Sequence, residues 1–118
     1  MSNPRFQPRR CARSAEQFGK AEFVLWRDDM TSPSDIEKLE TAKMQHAYAV
    51  VIRKKARADY SSIRGYAAAC GVSYDRMTKV LRGEALMRLD DIGQGQHLLG
   101  DLHAEAMEVM SMRLDDSN

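Results

Sequence analysis

Apolar residues recur at helical spacing through most of the chain, and the breaks between these runs fall at glycine, serine and proline. The clearest unit is Ser62 to Gly83, SIRGYAAACGVSYDRMTKVLRG. Its first half places Tyr66, Ala67 and Cys70 on one face of a helix that Ser62 caps. Gly71 ends that helix, because glycine takes the left-handed conformation without steric cost, and Val72 follows as a plug for the corner. Ser73 caps a second helix with Met77, Val80 and Leu81 facing inward, and Gly83 stops it after Arg82. The pattern is that of a helix-turn-helix.

The flanks also read as helix. Ser14 to Asp29 opens on a capping-box pattern, Ser14 with Gln17, and puts Phe18, Ala21 and Leu25 on one helical face. Within it, Glu22 to Arg27 is aromatic and β-branched and reads equally as a strand. Helix is the expectation, since a lone strand would have no partner in this chain. Phe23, Val24 and Trp26 are then core or dimer-contact residues rather than a ligand pocket. Thr31 to Pro33 is a break, and Ser34 with Glu37 forms a second capping box opening a long helix to about Arg57. Its inward stripe is Ile36, Leu39, Met44, Ala47, Tyr48, Val51 and Ile52, and Asp59 to Ser61 turns the chain. Beyond Gly83, Glu84 to Arg88 is a loop. Leu89, Ile92, Gln96 and Leu99 have the spacing of a helix that closes the core, weakened by Gly93 and Gly95. From Asp101, Leu102, Ala106, Val109, Met110 and Leu114 line one side of an amphipathic helix, to be covered by a second copy of the chain or by the N-terminal helix.

The fold class expected is all-α, and the scarcity of proline and glycine agrees with it. Residues 1–33 form a basic arm and an N-terminal helical extension, 34–99 the central domain, and 100–118 an acidic amphipathic helix suited to dimerisation. With 118 residues, 43% of them hydrophobic, the core is modest. Cys11 and Cys70 lie in dissimilar surroundings, so no bridge and a reducing cytoplasm are expected. No apolar run approaches the roughly 20 residues of a membrane span, and the start lacks a signal-peptide core.

Charge changes the picture. The net +1 conceals two ends of opposite sign: residues 1–88 hold 17 Lys and Arg against 10 acids, and residues 89–118 hold one Arg against seven acids. A basic body carrying the paired helices fits a DNA-facing side, with the acidic tail left for a partner. The arm 1–13, with four arginines, two prolines and no acid, is extended or disordered in isolation; it is a solvated tail or an arm lying along phosphates. Arg53, Lys54, Lys55 and Arg57 complement a helix C-terminus or contact phosphates.

Ala67, Gly71, Val72, Met77 and Val80 fall where the lambda-repressor-like (xenobiotic-response-element-type) family has its small, glycine and apolar positions, and residues 44–99 resemble one such domain. The resemblance implies a lambda-repressor-like helix-turn-helix bundle with terminal helical extensions. It also implies double-stranded DNA as partner, with Ser73 to Arg82 as recognition helix in the major groove. The outward side is Ser73, Tyr74, Asp75, Arg76, Thr78, Lys79 and Arg82, and Ser62 and Arg64 on the preceding helix complete the candidate DNA-binding set. Tyr74 and Thr78 suit a thymine methyl or a phosphate, and Asp75 a cytosine amino group or an ion pair with Lys79. Arg76, Lys79 and Arg82 suit phosphate or guanine. A homodimer on a two-fold operator follows, most simply as a repressor.

Nothing in the sequence points to an enzyme. His46, His97 and His103 are scattered, no C-x-x-C or H-E-x-x-H occurs, and GQGQHLLG does not complete a dinucleotide fingerprint. No metal, cofactor or catalytic residue is expected. The competing reading is an antitoxin or accessory protein that binds a protein partner through its hydrophobic helices, the acidic C-terminal one included.

Overall fold

The computed structural model describes residues 5–112. Its axle is α1 (Pro33–Tyr60), about 42 Å long at 1.5 Å per residue. Around it lie α2 (Ile63–Cys70), α3 (Tyr74–Leu81), α4 (Leu89–Leu99) and α5 (His103–Ser111). The described residues are all-α, with one isolated β-bridge and no named strand.

α1 begins two residues before the expected start. Pro33, whose fixed backbone angle suits the first helical position, is capped by Ser32; the Ser32 hydroxyl accepts from the Asp35 amide at 3.1 Å, and the Asp35 carboxylate accepts from the Ser32 amide. The capping box is therefore Ser32 with Asp35, and not Ser34 with Glu37. The helix also runs past Arg57, through Asp59 and Tyr60, and Ser61 in the left-handed region closes it. Of the expected stripe, Ala47, Val51 and Ile52 are buried and Leu39 and Tyr48 partly so, but the buried set is wider than one stripe and two members fall outside it. Ile36 and Met44 are each 49% exposed, whereas Ala42, Gln45, His46, Ala49, Val50 and Ala56 are buried. The cause is that α1 is packed from several directions at once, by the N-terminal segment as well as by α2 to α5, so burial wraps around it. Alanines at the contacts allow close approach.

The main core joins Val51, Ile52, Tyr66, Ala67, Met77, Leu81, Leu99, Leu102 and Ala106, with Val72 packed at its edge as the expected corner plug. Leu81 and Leu102 are fully buried, a burial contributing about 1.5–3 kcal/mol each. Leu89, expected to close this core, is 83% exposed, and in α4 buried Gly95 faces Leu102 and Tyr66 instead. Leu102, Ala106 and Val109 pack against α1, supported by an ion pair of Lys55 with Glu105 at 3.1 Å. The face of α5 that was open to a second copy is thus mostly covered within the monomer; Met110 stays 38% exposed and Leu114 lies outside the described residues.

The N-terminal helix expected over Ser14 to Asp29 does not form. Ala15–Gln17 makes one 3-10 turn, and the Ser14 side chain caps nothing. Trp26 instead bridges antiparallel to Ala12, with Arg13 N–H donating to the Leu25 carbonyl and Arg27 N–H to the Cys11 carbonyl, both at 2.9 Å. The partner that a strand at 22–27 was expected to lack is the basic arm itself. That arm is not a loose tail over its described part: Pro8, Cys11 and Ala12 are buried, and the Arg9 amide donates to the Gly83 carbonyl at 3.1 Å. Cys11 and Phe18 build a second small core on Ala42, flanked by Trp26, Met30 and Leu39.

Two buried polar side chains of α1 secure this arrangement. Gln45 donates to the carbonyls of Val80 and Ala85 at 2.9 Å each and accepts from the Met87 amide at 2.8 Å, pinning the loop after α3. His46, 3% exposed and edge-on to Phe18 and Trp26, accepts the Gly19 amide on Nδ1 at 2.9 Å, so its ring is neutral there. Burial holds its pKa below the ordinary 6.5. The unfolded chain therefore takes up a proton on this ring before the native chain does. Stability present above pH 6.5 is lost as the pH falls from there towards the native pKa, by at most about 1.4 kcal/mol per pH unit. The expected result is a thermal midpoint that declines between pH 7 and pH 5.5 in the parent chain, and declines less in His46→Gln; parallel curves would remove this assignment.

Candidate nucleic-acid interface

α2 and α3 meet at Gly71, which has φ +74° and donates its amide back to the α2 carbonyls, and each helix is capped by the serine in front of it. The Ser62 hydroxyl accepts from the Gly65 amide at 2.9 Å and the Ser73 hydroxyl from the Arg76 amide at 3.1 Å. Both serines were candidates for contacting DNA, and both hydroxyls are engaged in holding helix ends. α3 turns Met77, Val80 and Leu81 into the core, which fixes the direction of everything else on it.

The opposite side carries Tyr74, 41% exposed, with Asp75, Lys79 and Arg82, all exposed. Lys79 pairs with Asp75 at 3.1 Å across one helical turn, as the spacing implied, and both ends of the pair are open to solvent. An exposed pair of this kind is worth about 0–1 kcal/mol, so Lys79 is free to exchange its partner for a phosphate. Thr78 is half-buried, its hydroxyl donating to the Tyr74 carbonyl at 2.7 Å. Arg64 of α2 lies over the Tyr74 ring at 4.1 Å, so the two candidates form one stacked unit.

Arg76 stands apart from the set. Its guanidinium makes a two-pronged bond to the Asp91 carboxylate of α4, 3.1 Å on each prong, in a partly buried setting. It ties α3 to α4 in place of facing outward. The spacing of α3 alone gave no sign of this, because the partner lies beyond an intervening loop.

Tyr74, Thr78 and Arg82 border a cleft whose other wall is Arg53 and Arg57 of α1 with Lys20 of the N-terminal segment. A second hollow, sharing Arg57, Ile63 and Tyr74, extends it to Ser62 and Arg64. The surface is thus continuous from the start of α2 to the end of α3 and is dominated by cations. Arg53 and Arg57, one turn apart on α1, belong to the basic group read from the sequence as a helix-end complement or phosphate contacts; Lys20 had no signal in the sequence, since tertiary docking brings it there.

The chemistry elsewhere is sparse. No group of three or more His, Cys, Asp or Glu side chains able to hold a metal comes together among the described residues, and no described helix is long and apolar enough to cross a membrane. Cys11 and Cys70 are free thiols, and burial raises the pKa of each. Comparison with protein-family models, curated proteins and solved structures found no match.

Proposed function

We propose that this chain is a sequence-specific DNA-binding transcriptional regulator, built on a lambda-repressor-like helix-turn-helix with α3 as recognition helix. It would act in the cytoplasm as a homodimer on a two-fold operator, most simply as a repressor. The observation that carries this reading is the division of labour on α3. One side is buried by Met77, Val80 and Leu81, while the other holds Tyr74, Asp75, Lys79 and Arg82 outward, next to the basic wall of α1. A short helix anchored this way presents its first turns to base edges and its flanks to the backbone. With the Leu102, Ala106 and Val109 side of α5 in use, the two-fold contact of this reading falls on its outer methionines, Met107 and Met110.

Selection of bound sequences from random duplex DNA tests the proposal. The expected result is an enriched inverted repeat with half-sites about 34 Å apart, bound with an affinity that falls steeply as salt is added. Absence of any enriched sequence, with binding at the non-specific level, removes the regulator reading.

A second reading, an antitoxin or accessory protein, draws on a cleft of about 520 Å³ between the N-terminal segment, α1 and the end of α5, where Leu25, Trp26, Met110 and Met112 alternate with Glu22, Glu40 and Lys43. Leu25 at its edge is 49% exposed. A partner seated there through both its apolar and its charged lining would bind with a far weaker dependence on salt than a DNA reader, which releases many counterions.

A further inference from the structure

Among the described residues Arg53 carries the one buried side-chain polar atom left without a hydrogen bond. Its Nε donates to the Gly19 carbonyl at 3.0 Å, which fixes the guanidinium at the base of the cleft beside α3, and its Nη2 is buried with no hydrogen-bond partner among the described residues. A guanidinium held partly out of water, as this one is, is ordinarily met by a carboxylate, because its desolvation is costly otherwise. Here its charged surroundings are cationic. Burial, followed by Arg57 and Arg82, lowers its pKa, and neither Arg53, Arg57 nor Lys20 has an ion-pair partner among the described residues. Arg82 reaches only Glu84, at 3.9 Å, and Glu84 is shared with Arg9.

Four cations around a cleft of about 240 Å³ describe a site short of one small anion. The volume lies under the roughly 300–1,000 Å³ typical of sites for organic ligands. Guanidinium forks match the oxygens of a phosphate in pairs, and several donors on one group suit its charge better than that of a lone carboxylate. We propose that the cleft is a seat for a single phosphate oxyanion, held by Arg53, Arg57, Arg82 and Lys20. Its occupant is a backbone phosphodiester next to the groove that α3 enters. The identity of the occupant rests on the DNA reading; the seat itself does not, since a free phosphate would engage the same donors. The near wall of the cleft is Tyr74, Thr78 and Arg82, so a strand backbone resting there adjoins the outward side of α3, two of whose residues it touches.

The test uses the full chain with Arg57→Gln and Arg53→Gln. Arg57 is exposed, so its variant keeps the fold even if the partly buried position 53 does not tolerate change. Sodium phosphate should raise the thermal midpoint of the parent by about 3 °C over sodium chloride at equal ionic strength, and should do so much less in Arg57→Gln. Duplex binding by Arg57→Gln should be about tenfold weaker, with a salt slope shallower by about one and an unchanged sequence preference. A parent that responds to phosphate but binds no duplex keeps the seat, with free phosphate as its occupant, and overturns the DNA reading. A parent that binds duplex as well as Arg57→Gln and Arg53→Gln do, and shows no phosphate response, overturns the seat and leaves the DNA reading standing.

Discussion

Gly19→Ala should lower the stability of the fold by about 3–5 kcal/mol, a loss of roughly 15 °C in thermal midpoint. Gly19 has φ +73°, which for alanine costs about 1–2 kcal/mol. A Cβ there would lie 2.1 Å from the Leu81 carbonyl oxygen and 3.2 Å from the Ala49 Cβ. Backbone oxygen at that distance cannot yield without moving the end of α3, an overpacking cost of about 1–3 kcal/mol. The shift would also loosen the bonds of the Gly19 amide to His46 and of Arg53 to the Gly19 carbonyl, each worth about 0.5–1.5 kcal/mol. Gly71→Ala is the control. Its φ is +74°, yet nothing lies within 4 Å of the added carbon, so only the conformational part should appear, about 1–2 kcal/mol. Urea unfolding of both variants decides the matter. Equal losses at the two positions would mean that the contact with Leu81 carries no weight, and that the N-terminal segment is not seated against α3 as described.

The largest functional effect is expected at the end of α3. Arg82→Ala should weaken duplex binding by about 5- to 150-fold, the range of a lost base-specific contact of about 1–3 kcal/mol. If Arg82 reads guanine, the selected sequence should relax at one position; if it grips phosphate in the basic cleft, affinity should fall alike for all sequences. Lys79→Ala should lower affinity by a smaller factor and flatten the salt dependence by about one counterion. Neither change should disturb the fold. The Lys79–Asp75 pair and the 3.9 Å contact of Arg82 with Glu84 are exposed on the cationic side, and surface pairs of this kind contribute little. Circular dichroism separates the two effects. Unaltered affinity in both variants, with intact folding, would take α3 out of the interface.

The parts of the chain that could be read in advance are those governed by neighbours in sequence. Ser62, Gly71 and Ser73 act on amides or angles within a few residues, and they mark the ends of α2 and α3 where expected. The inward set Met77, Val80 and Leu81 followed from spacing on one short helix. The N-terminal segment did not, because its helical pattern is weaker than the gain from laying Phe18 and Cys11 on Ala42 and pairing Trp26 with Ala12. Gln45 and His46 escaped because a stripe sought through apolar residues passes over polar ones; their burial is intelligible only with the Val80, Ala85 and Gly19 backbones in place. The candidate interface divides the same way. Tyr74, Asp75, Lys79 and Arg82 are exposed as spacing implied, while the diversion of Arg76 to Asp91 and the arrival of Lys20 beside Arg53 depend on segments far apart in the chain.

The bond from the Arg9 amide to Gly83, and the fit of Gly19 beneath the Leu81 carbonyl, tie the beginning of the chain to its ninth decade. During synthesis residues 5–30 leave the ribosome before α3 does, and α1 alone offers them only part of a bed. Phe18 and Trp26 can settle on Ala42 and His46 of α1, but the Arg9 amide and Gly19 find their seats only once Leu81 and Gly83 have cleared the exit tunnel. The segment before α1 is therefore fully fastened only after the end of α3 is made, and a nascent chain halted before Gly83 should remain open to proteases between residues 5 and 30.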